Sequence, residues 1–146
     1  MDTELLKELV HRYERASYNV NRSIKQMLLE RLPGEMTMDQ YPIMRFLLQK
    51  GQCTSSELAD NFNVGKSSIT AMITRLSDKG LIVRKPDQKD RRVIYLMLTP
   101  EGETLCSMMD DQVNEILMRH IKPFEKDEAI AFIETFEKLS SRMMKE

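Results

Sequence analysis

Lys66, Ser67, Thr70, Ala71, Thr74 and Arg75 fall on one side of a helical wheel, with Ser68 on its flank. That surface is short, polar and basic. Small side chains let a helix backbone approach the floor of a DNA major groove. Hydroxyl, ammonium and guanidinium donors then reach phosphates and base edges. An ordinary solvent face would carry more Glu, Gln and Lys, which hold a helix better than Ser67, Ser68, Thr70 and Thr74 do. A weak solvent-facing helix is the competing reading of the same residues. Shortly after it come Arg84, Lys85, Lys89, Arg91 and Arg92, a second basic cluster.

The elements that position these residues are legible on both sides. Ile43, Met44, Phe46, Leu47 and Leu48 give an apolar face to a helix over 37–50, ended by Gly51. Its start has two readings: a capping box from Thr37 to Gln40, or Asp39 as N-cap with Pro42 in the first turn, and the second is preferred. Thr54, Ser55, Ser56 and Glu57 form a capping box that opens a short helix through Asn61, with Leu58, Ala59 and Phe62 as its buried side. Residues 61–65 make the turn, where Asn and Gly tolerate positive φ. The helix from Lys66 to Lys79 buries Ile69, Met72, Ile73 and Leu76, and Gly80 is expected just past its end. Then the period changes from helix to strand. Leu81–Val83 and Val93–Leu98 read as two strands joined by a turn over 86–90. A helix-turn-helix followed by a hairpin with a basic tip is a winged helix, whose wing can lie along a minor groove.

Charge by segment supports this placement. The 146 residues carry 22 Lys and Arg against 23 Asp and Glu, yet residues 65–92 hold eight basic and three acidic groups. Residues 101–146 hold six and eleven. A local positive field attracts polyanions whatever the total. Two cysteines, Cys53 and Cys106, are too few for a disulfide framework, and each reads first as a small packed thiol. No metal site is expected: two histidines, His11 and His120, lack suitably spaced partners, and Asp110, Asp111 and Glu115 read as a solvated acidic face. No cofactor is expected either. A glycine-rich phosphate loop, a nucleophile elbow and a Cys–His pair are all missing from the sequence, so an enzyme is not expected. No run approaches the roughly 18 apolar residues of a membrane span. The first six residues do not resemble a signal peptide, so a cytoplasmic location is the expectation.

Long stretches without Gly or Pro at 1–32, 103–122 and 124–146 read as helices. The first carries Leu6, Leu9, Val10, Tyr13, Val20, Ile24, Met27 and Leu28 at helical spacing. The second carries Leu105, Met109, Val113, Ile116 and Leu117, and the last Ile130, Ile133, Phe136, Leu139 and Met143. The expected solution is a homodimer in which terminal helices of two chains pack together; a monomeric bundle is the alternative. The expected fold is mainly α with a small β-hairpin: an N-terminal dimerisation helix over 1–35, a winged helix-turn-helix over 36–99, and C-terminal dimerisation helices over 100–146.

Residues 53–102 resemble the MarR family of winged-helix transcription regulators. The likeness is carried by Leu58-Ala59, Val64, Ser68-Ile69-Thr70, Leu76, Gly80-Leu81-Ile82, Arg84, Asp90-Arg91-Arg92 and Leu98-Thr99-Pro100-Glu101-Gly102. The resemblance implies a two-fold dimer whose winged helices each read half of an inverted repeat in double-stranded DNA. It implies that Lys66 to Arg75 is the recognition helix, that Asp90 steadies the wing, and that Arg92 enters the minor groove. It also implies release by a small aromatic or anionic ligand, and a repressor. Gly65 departs from the pattern, since relatives often place Ser, Thr or Asp there. Two other readings stay open here: a winged-helix protein-interaction module, and a thiol-based redox sensor built on Cys53 or Cys106.

Overall fold

A computed structural model describes residues 1–31 and 39–145. In chain order the elements are α1 (Thr3–Leu29), α2 (Gln40–Lys50), α3 (Ser55–Phe62), α4 (Lys66–Asp78), β1 (Ile82–Pro86), β2 (Ile94–Leu98), α5 (Pro100–Ile121) and α6 (Lys126–Met143). The chain falls into two compact units, 1–112 and 113–146, with the division inside α5. Among the described residues no helix is long and apolar enough to cross a membrane.

The core of the first unit lies between α2, α3, α4 and the hairpin. Ile43, Met44, Leu47, Leu58, Ile69, Ile73, Leu76, Ile82 and Leu96 are all buried there. Phe62 is only half-buried, and its ring meets Phe46 edge-on at 6.0 Å. Asp39 does precede α2, but its side chain makes no capping bond; Pro42 sits in the first turn, where a missing N–H costs little. The Thr37 alternative lies outside the described residues. Thr54 caps α3, its hydroxyl oxygen accepting from the Glu57 amide at 3.2 Å.

The turn between α3 and α4 uses its residues differently from expectation. Asn63, with φ 51° and ψ 46°, takes the left-handed conformation that ends α3. Gly65 does not: its φ is −69°, and it serves as a side-chain-less N-cap for α4. Gly80 takes φ +73° just past α4, where the Leu81 amide donates to the Leu76 carbonyl at 3.0 Å. This is the paired closure that a left-handed glycine permits.

The strands are shifted from their expected limits. β1 begins one residue later, at Ile82, and runs on to Pro86; β2 begins at Ile94. They pair antiparallel, with Ile82 opposite Leu98 and Pro86 opposite Ile94. Leu96 and Leu98 point into the core, while Ile94 is exposed because the far end of the hairpin outruns it. Cys53 adds a short third edge by exchanging backbone hydrogen bonds with Leu96 at 3.2 and 2.7 Å.

α5 starts at Pro100, three residues before the expected 103, because its first turn accommodates both a proline and a glycine. The Thr99 hydroxyl donates to the Gly80 carbonyl at 2.6 Å and accepts from the Gly102 amide at 3.1 Å. The Thr99 amide donates to the Leu81 carbonyl at 3.0 Å. At Gly102 a Cβ would lie 2.2 Å from the Leu81 carbonyl oxygen, so only glycine lets the helix come this close. One cluster of bonds therefore joins the end of α4, the base of the hairpin and the start of α5.

The outer helices form as expected but leave their apolar stripes uncovered. α1 starts on Asp2, whose carboxylate accepts from the Leu5 amide at 2.8 Å, and would run about 40 Å. Leu5, Leu6, Leu9, Val10 and Val20 are exposed along it, and only Leu28 is fully buried. In the second unit, no residue of α6 is buried. Ile130, Phe132, Ile133, Phe136 and Leu139 are exposed, and the Phe132 and Phe136 rings stack at 5.8 Å.

Gly102→Ala should destabilise the chain by about 1–3 kcal/mol or more, because backbone must move to admit the methyl group. Urea unfolding of the two proteins checks this, and equal midpoints would refute it.

Candidate nucleic-acid interface

α4 divides cleanly into two faces. Ile69, Ile73 and Leu76 are fully buried, whereas Lys66, Ser67, Ser68, Thr70, Ala71, Thr74 and Arg75 are all exposed. The Thr70 hydroxyl donates to the Lys66 carbonyl at 2.8 Å, a back-bond common to helical threonines. Because Gly65 brings no side chain, no capping group occupies the first-turn amides, and no acidic residue lies in that turn. The exposed end of α4 is thus a place where unspent N–H donors meet the Lys66 ammonium. Ser55 and Ser56 are exposed at the start of α3; Thr54 is half-buried, and its oxygen is already engaged by Glu57.

The hairpin tip is organised around Asp90. Its carboxylate accepts from the Arg92 amide at 3.1 Å and from the Arg92 guanidinium at 3.1 and 3.3 Å. The Arg92 side chain and backbone bonds hold this carboxyl below its ordinary range. The turn closes with the Asp87 amide on the Val93 carbonyl at 2.9 Å and the Val93 amide on the Asp90 carbonyl at 3.0 Å. Arg92 keeps 92% of its side chain exposed while one carboxylate aims it outward. Lys89 and Arg91 are exposed beside it, as are Arg84 and Lys85 on β1.

Two further residues belong to this surface. Gln52 and Tyr95 line an open cleft of about 220 Å³ beside the tip, together with Lys85 and Lys89. Tyr95 pairs with Lys85 across the hairpin, so the strand register was the signal that could have found it. Gln52 carries no motif in the sequence.

The remaining candidate residues lie away from this surface. Cys53 and Cys106 are completely buried, and burial pushes both thiols up to about 11. Neighbouring Glu57 raises Cys53 further and Asp110 raises Cys106, while Lys50 and Arg45 oppose them. A sensor thiol needs the opposite environment. Asp110 is not part of a solvated face: it accepts a hydrogen bond from the Tyr41 hydroxyl and pairs with Arg45 at 3.7 Å. The reason is tertiary, since α2 packs its polar edge on this turn of α5. Glu115 pairs within its own helix with Arg119 at 3.2 Å. Among the described residues no group of three His, Cys, Asp or Glu could hold a metal.

Residues 36–94 match the MarR family model. Over that span the chain is similar to the MarR family. The matched span covers α2 to the start of β2, the part whose exposed faces are basic. The HTH-type transcriptional regulator FarR of Neisseria gonorrhoeae is 36% identical over 82 residues, 56% of this chain and 56% of that protein. The chain therefore aligns with little more than half the length of that relative. A MarR family protein from Bacillus stearothermophilus shares the fold with a TM-score of 0.87, at 22% identity, over 99% of both chains. A point mutant of MarR from E. coli, solved in complex with operator DNA, has a TM-score of 0.73 at 24% identity, over 95% of this chain and 99% of that one.

Two measurements test the buried thiols and the Asp90–Arg92 pairing of this lobe. With pKa values near 11, about one thiol in a thousand is ionised at pH 8, so the native chain should react with a thiol reagent far more slowly than the unfolded chain. Equal rates would refute the burial. The Asp90 carboxyl, followed by NMR, should titrate below an ordinary aspartate, and Arg92→Ala should return it toward the usual range. Its stabilising contribution is present above the ordinary carboxylate pKa and is lost as pH falls through the depressed value.

Proposed function

We propose that this chain is a DNA-binding transcriptional regulator that holds an inverted-repeat operator as a homodimer and acts as a repressor where that operator overlaps a promoter. The observation that carries the reading is the pairing of two exposed basic surfaces on one lobe. These are the short-chained face of α4, from Lys66 to Arg75, and the tip where Asp90 aims Arg92. In this reading Lys66, Ser67, Ser68, Thr70, Ala71, Thr74 and Arg75 enter a major groove. Thr54, Ser55 and Ser56 meet backbone phosphates from the start of α3. Lys89, Arg91 and Arg92 follow the adjacent minor groove, whose negative potential favours arginine, and Asp90 orients Arg92.

The pairing of chains is supported by the uncovered stripes on α1 and on α6, each of which exposes several large apolar side chains. Residues 1–35 and 100–146 serve that pairing in this reading, and 36–99 is the reading lobe. Two recognition helices must then sit roughly 34–36 Å apart to enter successive major grooves on one face of the duplex. A small aromatic or anionic ligand that prefers another lobe arrangement would release the DNA, through its unequal affinity for the two states. We read the chain as a binding protein and not an enzyme, working in the cytoplasm where its operator is. The operator-bound E. coli MarR mutant, with the same fold, supports the DNA reading.

Genomic fragments retained by the purified chain should share an inverted repeat. Against such a duplex, log K should fall linearly with log salt. Arg92→Ala should weaken binding at least tenfold, and Asp90→Ala should weaken it less. Lys66→Ala should flatten the salt slope by about one. Thr70→Ala should cost about 1–3 kcal/mol if its contact is to a base. Absence of any retained fragment, with capture of a protein partner instead, would replace this reading with that of an interaction module.

A further inference from the structure

The turn of α5 at Asp110–Gln112 is tied to both sides of the α1–α2 connection. Arg31, just past α1, donates from its guanidinium to the Gln112 side-chain oxygen at 2.9 Å. From α2, the buried Tyr41 donates its hydroxyl proton to Asp110, and Arg45 pairs with the same carboxylate at 3.7 Å. Asp110 is itself largely shielded, with 28% of its side chain exposed. The next residue of the relay is Gln40, buried in the first turn of α2, whose side-chain oxygen accepts from the Lys79 ammonium at 3.1 Å, just past the end of α4.

These bonds form a connected path from α5 through α2 to the end of α4. Apolar side chains alone would pack α2 on α5 while tolerating small slides and rotations. The phenol bonded to the carboxylate adds direction, because charge-assisted hydrogen bonds weaken steeply when bent or stretched, and the Arg45 ion pair adds attraction on the same group. Removing the carboxylate would also leave a buried hydroxyl without its acceptor. The placement of these groups is thus better suited to fixing an angle than to adding cohesion.

The geometry points to Asp110 as a positioning residue for DNA reading: by gripping Tyr41 and Arg45 it sets the angle at which α2, and through Gln40 and Lys79 the recognition helix α4, leaves α5. This rests on the operator-binding dimer proposed above. It touches no DNA in that arrangement; it acts on how far apart and how rigidly the two α4 helices are held.

The test separates angle from affinity. Duplexes selected by the wild-type chain from a randomised pool supply the probes, each matched by a copy with one extra base pair at its centre. The insertion should weaken wild-type binding strongly. In Asp110→Ala that penalty should shrink by roughly fivefold or more, the scale of a modest coupling between sites. Tyr41→Phe, which keeps the packed ring, should shrink it in the same direction and serves as the readout if the alanine variant fails to fold. An unchanged penalty in the folded variants overturns the proposal, whatever happens to affinity overall. A DNA-free arm uses spin labels at Asp78→Cys, an exposed site at the end of α4, while buried Cys53 and Cys106 stay unlabelled. The distance between labels on the two chains should be narrowly distributed in the wild type and broader in Tyr41→Phe; equal widths overturn the proposal. Failure to select any duplex sinks the DNA reading while leaving the label widths to decide the role of Asp110, and absence of any inter-chain distance sinks both.

Discussion

The Thr99 hydroxyl, shared between the Gly80 carbonyl and the Gly102 amide, is the point on which the lobe is hung. Four elements begin or end there within a few residues. α4 ends on a left-handed glycine, β1 begins, β2 ends and α5 departs. A hydroxyl side chain is required because one group must donate and accept at once, and a glycine is required because the Leu81 carbonyl occupies the space of a Cβ. Since α4 and the hairpin both spring from this junction, the spacing between the exposed face of α4 and the basic tip is set there and not at the tip itself.

Within that frame, the electrostatics are arranged by subtraction as much as by addition. The lobe places few acidic groups near its basic ones, and of the two at the tip, Asp87 accepts from the Lys89 amide at 3.5 Å while Asp90 is used up by Arg92. An isolated carboxylate at that position would repel a phosphate backbone. Bound to the guanidinium, it narrows the directions in which Arg92 can reach, so less rotamer freedom remains to be lost on binding. Gly65 works the same way at α4, where a capping aspartate would have set a negative charge beside Lys66.

Much of this was legible in the residues themselves. Ile69, Ile73 and Leu76 at helical spacing located the buried side of α4, and with it the exposed one. The Thr54 capping box marked the start of α3 to the residue, and the glycine at 80 marked the end of α4, which stops one residue before the expected Lys79. What escaped was tertiary. Asp110 reads as surface because its neighbours Asp111 and Glu115 are acidic, and nothing in its own helix announces Tyr41 and Arg45, about seventy positions earlier in the chain. The early start of α5 escaped because proline and glycine usually signal a break, whereas in a first helical turn neither loses a bond. Tyr95 came into view with the pairing that sets it opposite Lys85, and Gln52 only with the cleft that it lines beside Lys89.

The bare flank of α6 has a consequence for handling the molecule. A helix of 18 residues with none of them buried has little besides intrinsic propensity to hold it in water. For a chain that pairs through such helices, folding and association become a single equilibrium. A melting midpoint then has meaning only with a protein concentration attached to it, and two preparations can be ranked only at matched dilution.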